Sequence, residues 1–245
     1  MPTASPDQPP PQLPLPIEWR PAAGRPEQLI VLLHGWAQEA SALEPLAMAL
    51  RERFPQAVVL VPESPIAADG GRRGRQWYSI EGLESQAVWR DRVAACVAAL
   101  APWLRAQQQR LDIGPAATAI GGFSQGGVLA LHTAVQHDGI AGRVLAFGAR
   151  MVEPPPEPPR HATLHLFHGS ADRIFGVEHP RALLEQLAAG QGDATLDVAE
   201  GVGHVLHPAL IDCALHRLSS HIPLRTWREA LGALPPSAGG DRRSG

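Results

Sequence analysis

Ser124, Asp172 and His204 supply, in that chain order, the three residue types that acyl transfer through a serine nucleophile requires. A serine hydroxyl is a poor nucleophile at neutral pH, so it needs a base to take its proton and a group that orients the base. Ser124 stands in Gly122-Phe123-Ser124-Gln125-Gly126, between the apolar run Ala116 to Gly121 and a helix-like stretch from Val128 to Val135. Glycines without Cβ let a strand turn sharply into a helix and hold the serine in exposed, strained geometry. In a chain with 24 glycines the pattern alone says little. The strand before it and the helix after it give it meaning.

The other two groups also follow strand-like segments. Asp172 lies in His168-Gly169-Ser170-Ala171-Asp172, after the run Thr163 to Phe167, and His204 lies in Gly201-Val202-Gly203-His204, after Thr195 to Ala199. His207 and His168 are alternative bases, but His207 falls at the start of a helix, where the charged imidazole is disfavoured. Asp193 and Asp197 are alternative acids, one before a strand and the other within it. A fourth strand end carries His34-Gly35-Trp36. The backbone amides of Trp36 and Gln125 are the expected oxyanion donors, each worth a factor of about a hundred in rate. His161 and His165 fall across a strand start and cannot share a helix face, so no metal site is expected.

The elements that must position these groups alternate regularly. Leu29 to Leu33 and Ala57 to Val61 read as strands buried on both faces, and Arg143 to Phe147 as another. Helical spacing covers Ser41 to Arg53, with Ser41 and Glu44 as a capping box. It also covers Gln86 to Gln109, with Pro102 expected to kink or divide it, His179 to Ala189, and Pro208 to Ser219 as the last long helix. This order predicts an α/β fold with a mostly parallel central sheet and helices on both faces. Sites in such sheets form at the carboxyl ends of the strands, where all the polar candidates fall. Glu63 to Ser79 is a long loop, and its Trp77 and Tyr78 either line a substrate pocket or cover the core.

Composition narrows the class. With 245 residues, 44% hydrophobic and 18% charged, the chain suits one domain with a large core. A net charge of -3 gives no reason to expect a nucleic-acid partner or a stable membrane association. No lysine is present, which reads as genome bias. Cys96 and Cys213 read as reduced, buried thiols. Residues 1–16, with seven prolines after Met1, read as an extended arm, 17–234 as the domain, and 235–245 as a disordered tail. The opening residues lack a basic segment followed by an apolar core, so a cytoplasmic enzyme is the expectation.

Ile120-Gly121-Gly122-Phe123-Ser124-Gln125-Gly126-Gly127 and Leu32-Leu33-His34-Gly35 resemble the phospholipase/carboxylesterase family, which includes acyl-protein thioesterases. His168 to Asp172, Gly203-His204 and Trp77-Tyr78 extend the match over about residues 28–220. Arg75-Gln76-Trp77-Tyr78-Ser79 looks most like small bacterial serine esterases of that family. The resemblance implies a single-domain α/β-hydrolase without cofactor, acting on small acyl esters or thioesters of short to medium chain length. It also implies that a homodimer can form. Ser124, Asp172 and His204 would be the catalytic triad, and Trp36, Trp77 and Tyr78 would contact substrate. Two segments depart from the pattern. His34-Gly35-Trp36-Ala37-Gln38 replaces His-Gly-Leu-Gly-Asp, and Ser79 stands where the family has Asp. The alternatives are a hydrolase of a peptide or lactone-like metabolite with the same triad, and a non-catalytic binding protein on a hydrolase shell.

Overall fold

A computed structural model describes residues 13–232. The proline-rich arm up to Gln12 and the tail expected over 235–245 lie outside that range. In chain order the elements are β1 Ile17–Trp19, β2 Gln28–Leu33, α1 Glu44–Arg53, β3 Ala57–Val61, β4 Ile66–Ala67, β5 Arg75–Gln76 and α2 Gln86–Leu111. There follow β6 Thr118–Phe123, α3 Gln125–Gln136, β7 Arg143–Phe147, β8 Thr163–Gly169, α4 Glu178–Ala189, β9 Ala194–Ala199, α5 Pro208–Ser220 and α6 Leu224–Gly232.

Seven strands form one sheet in the order β1-β3-β2-β6-β7-β8-β9. Only β1 is antiparallel, pairing Ile17 with Val61 and Trp19 with Val59. The chain moves outward from β2 to β3, then crosses back to place β6 on the other side of β2. That reversal is a topological switch point, where loops at the strand carboxyl ends diverge and leave a crevice. His34 to Trp36 and Ser124 follow the two strands that flank it. The fold itself therefore brings those two loops together.

Alternation along β2 divides the core between the two faces. Leu29, Val31 and Leu33 pack with Val93, Val97 and Leu100 of α2 and with Leu129 of α3. Ile30 and Leu32 face Leu46 and Leu50 of α1 and Leu210 and Ala214 of α5. Being buried on both faces is what makes β2, β3 and β6 read as continuous apolar runs. The stretch of α3 from Gln125 to Ala134 is wholly buried, which pins its first turn against the sheet.

Several sequence expectations are corrected here. Ser41 and Glu44 form no capping box. The first turn is a 3-10 turn, Ala40–Leu43, and α1 starts at Glu44 without a side-chain cap. The Ala40 N–H instead donates to the Glu63 carboxylate, a tertiary partner that local sequence does not reveal. Pro102 does not divide α2, which runs through it as one helix. Burial of Val97, Leu100, Ala101 and Leu104 around it offsets the roughly 3 kcal/mol that an interior proline costs. The strand expected at Ala116 starts at Thr118, after a 3-10 turn. Among the described residues a further short helix, α6, follows α5. The long loop contains a small ribbon of β4 and β5. No helix among the described residues is long and apolar enough to cross a membrane.

Candidate active site

Ser124 sits between β6 and α3 with φ 54° and ψ -117°, a conformation that L-residues rarely adopt. The turn is tight because backbone crowds it from the neighbouring strand. A Cβ on Gly126 would lie 1.9 Å from the Leu33 carbonyl oxygen, and one on Gly122 would lie 2.4 Å from the same atom. Only glycine fits at either position. The Ser124 N–H donates to the Phe147 carbonyl at 2.9 Å, and the Val128 N–H to the Ser124 carbonyl at 2.9 Å, so both flanks of the turn are fixed.

The three residues singled out in the sequence meet here from three strand ends. Ser124 Oγ is 2.9 Å from His204 Nε2, and His204 Nδ1 is 2.7 Å from Asp172 Oδ2. The Asp172 carboxylate is 1% exposed and His204 18%. The other carboxylate oxygen, Oδ1, accepts from the backbone N–H groups of Ile174 at 2.8 Å and Phe175 at 2.9 Å. A buried carboxylate satisfied in this way directs Oδ2 at the imidazole. It selects the tautomer with a proton on Nδ1 and a free Nε2 facing the hydroxyl. The rings of Phe123 and Phe175, at 4.8 and 5.8 Å between centroids, hold the imidazole on two sides.

The alternative bases and acids have other principal partners, although His168 Nε2 also lies 3.4 Å from Asp172 Oδ2. The His207 side chain accepts from the Ala209 N–H at the start of α5. His168 is buried and bonded to the Phe175 carbonyl at 2.6 Å, and burial pushes its pKa down. It is a neutral prop beneath the Asp172 loop. Asp193 bonds Thr163 and His221, and Asp197 pairs with Arg217 through both oxygens. His161 bonds Asp138 at the surface, whereas His165 is buried in β8 against Thr195, so the two do not converge.

The loop after β2 is anchored from below by His34. Its Nδ1 bonds the Gly35 carbonyl at 2.8 Å, and its Nε2 accepts from the Ser64 N–H at 3.1 Å. Burial pushes the His34 pKa down, consistent with a neutral ring donating through Nδ1. Where the family pattern has glycine, Ala37 adopts φ 55°, a strained conformation for a side chain with Cβ. Gln38, in place of Asp, accepts from the Gly35 N–H at 2.9 Å. Among the described residues neither the Trp36 nor the Gln125 backbone N–H has a protein acceptor. The Trp36 indole donates to Gln76 Oε1 at 3.0 Å. At the other departure, Asp69 bonds the Ile80 N–H at 2.7 Å and the Gln76 amide at 2.7 Å, so an acid from elsewhere orders the segment around Ser79.

Gln125 contributes more than a backbone N–H. Its side chain also accepts from the Trp77 N–H at 2.9 Å and donates to the Tyr78 carbonyl at 2.9 Å, clamping the long loop onto α3. The partners lie 47 and 48 residues away, so no local pattern signals them. Trp36 and Tyr78 line a cavity of about 520 Å³ that contains Ser124 and His204, together with Ile80, Leu83, Trp89, Phe175 and Arg150. Trp77 does not line it. Its indole donates to the His34 carbonyl at 2.9 Å and its ring borders a separate apolar cavity near Cys96, so its place is beneath the site. Cys96 is a free thiol bonded to the Trp77 carbonyl, and burial pushes its pKa up to about 11, which makes it a poor nucleophile.

Comparison with known proteins gives a consistent result. The family described as Phospholipase/Carboxylesterase matches residues 20–222. The chain is 32% identical over 210 residues to Esterase YpfH of Escherichia coli strain K12, covering 86% of this chain and 90% of that protein. It is 26% identical over 196 residues to Acyl-protein thioesterase 1 of Gibberella zeae, covering 73% and 81% respectively. The crystal structure of esterase PE8 superposes with a TM-score of 0.77 at 25% identity, covering 85% of this chain and 98% of that one.

Proposed function

This chain belongs to the phospholipase/carboxylesterase family and is a carboxylic ester hydrolase, and on that premise we propose that it works through a two-step acyl-enzyme mechanism. Ser124 Oγ attacks the carbonyl carbon of the ester while His204 Nε2 takes the hydroxyl proton. Asp172 holds the Nδ1–H throughout and balances the imidazolium that forms. The tetrahedral oxyanion accepts hydrogen bonds from the Trp36 and Gln125 amides, which are fixed before the reaction and need no rearrangement. His204 then returns the proton to the leaving oxygen or sulfur, and the alcohol or thiol departs. A water, deprotonated by the same imidazole, attacks the acyl-serine, and the acid is released.

One observation carries this reading. A continuous relay runs from Ser124 Oγ through His204 to Asp172 at 2.9 and 2.7 Å, and two backbone amides hold the far carboxylate oxygen. The cavity beside it supports acyl esters of short to medium chain length, because its lining is apolar at Ile80, Leu83 and Phe175 and its volume is about 520 Å³. Similarity to an acyl-protein thioesterase supports thioesters as a second substrate class. The test is a panel of p-nitrophenyl esters and matched thioesters, graded from acetyl to palmitoyl, run on wild type and Ser124→Ala. The expected result is turnover that peaks at short to medium chains and is lost in Ser124→Ala with folding intact. Substantial turnover by Ser124→Ala, or a preference for palmitoyl, would overturn the proposal.

A further inference from the structure

Arg150 follows β7 and lines the same cavity as Ser124 and His204. Its guanidinium carbon lies 4.4 Å from the Trp89 ring centroid and 5.7 Å from that of Phe175. A cation–π contact of this kind engages the charge over the rings and uses none of the five N–H donors. Among the described residues those donors have no hydrogen-bond or ion-pair partner. Glu153, three residues on, pairs with Arg90 at 3.6 Å. Among the described residues no acidic side chain lines the cavity, and a second cation, Arg72, lies over the Trp36 ring at 5.5 Å.

The two rings hold a half-buried guanidinium at the cavity wall, but among the described residues no carboxylate offsets its charge there. Burial accordingly pushes its pKa down, although an arginine stays charged. A guanidinium facing a cavity is satisfied by an oxyanion, and a carboxylate is the one an ester of a small acid can carry, met through two parallel hydrogen bonds.

We propose that Arg150 is a specificity residue that recognises a carboxylate carried by the ester substrate. The inference rests on the assignment of Ser124 and His204 as the reacting groups, and it narrows the substrate class to anionic esters. The carboxylate sits either on the acyl chain or on the leaving alcohol, since the cavity serves both parts of the ester.

Two matched pairs of substrates test it. In the first, the mono-p-nitrophenyl ester of adipic acid is compared with p-nitrophenyl hexanoate, which has a methyl in place of the distal carboxylate. In the second, the butanoyl ester of 4-hydroxybenzoate is compared with that of 4-methylphenol. For each pair the ratio of kcat/KM, anionic over neutral, is measured in wild type, Arg150→Gln and Arg150→Lys. A charge-assisted hydrogen-bonded contact predicts that Arg150→Gln lowers the ratio about 10- to 100-fold in one pair. Arg150→Lys, which keeps the charge and the stacking position, should restore part of it. The pair that responds identifies the side of the ester bearing the anion. Equal losses on anionic and neutral esters in both pairs would mean that Arg150 only packs against Trp89 and Phe175, and would overturn the proposal. Failure of wild type to hydrolyse any of the four esters would instead overturn the underlying mechanism, and this proposal with it.

Discussion

Replacing Asp172 by Asn tests the proposed relay through one proton. Oδ1 of Asp172 accepts two backbone N–H groups, from Ile174 and Phe175, and Oδ2 faces His204 Nδ1 at 2.7 Å. An asparagine can enter in two orientations. With its oxygen toward the two amides, its NH₂ faces Nδ1, and the imidazole must move its proton to Nε2. The ring then presents a donor to Ser124 and cannot act as base. In the opposite orientation the tautomer is kept, but two buried N–H groups lose their acceptor and face a donor. Each unsatisfied group costs about 1–3 kcal/mol, so this orientation is disfavoured by about 2–6 kcal/mol. The tautomer switch keeps every hydrogen bond to the two backbone amides, and His168 Nε2, 3.4 Å from the NH₂ position, keeps its bond to the Phe175 carbonyl, so this orientation wins. Loss of a correctly held base in such a triad costs about 10⁴-fold in kcat, the factor known for the equivalent change in a serine protease. The assay is steady-state hydrolysis of a short p-nitrophenyl ester by Asp172→Asn. Nitrogen-15 NMR of the His204 ring should report Nδ1–H in wild type and Nε2–H in the variant. A variant retaining a tenth or more of wild-type kcat, or an unchanged tautomer, would refute the reasoning.

Gln125→Ala removes the clamp on Trp77 and Tyr78 and leaves a buried N–H and a buried C=O without partners. Urea unfolding should register a loss of about 2–4 kcal/mol, and a loss below about 1 kcal/mol would mean that the loop is held by other contacts. Stability should also fall on acidification. Burial holds His132 down to about 4, and burial together with the charges of His221 and Arg143 holds His165 down to about 3. The unfolded chain binds protons at these sites from about pH 6.5 downward. The stabilisation is therefore complete above that pH and is lost as pH falls toward 4, by about 3 kcal/mol per site. Urea midpoints at pH 7, 5.5 and 4.5 check the slope. His132→Gln, whose amide oxygen can take over the Val152 N–H that Nε2 now accepts, should flatten it. An identical slope in that variant would count against the assignment.

The parts of the fold legible in the sequence were those fixed by burial. β2, β3 and β7 are continuous apolar runs because helices cover both faces, and Ser124 is legible because it follows such a run; Asp172 and His204 are legible because each follows a strand in the expected chain order. What escaped depended on tertiary partners. β1 has three residues, half-exposed and antiparallel, too few to show a period. The start of α1 departs from local capping signals because the Ala40 N–H is satisfied by Glu63 and no local cap is needed. Pro102 misled for a similar reason, since the buried face of α2 outweighs local propensity. Within the site, Trp36 and Tyr78 line the cavity as expected of pocket residues, whereas Trp77 faces away from it. The side-chain work of Gln125 and the stacking of Arg150 join residues far apart in the chain, so spacing could not reveal them.

The central claim is that Ser124 is the activated nucleophile. A fluorophosphonate reacts only with a serine whose proton is taken by an adjacent base, so labelling of the folded protein followed by peptide mapping reads the claim directly. A single adduct on the peptide containing Ser124, with esterase activity lost in step with labelling, is the predicted result. No adduct, or an adduct on another serine while activity persists, would contradict it.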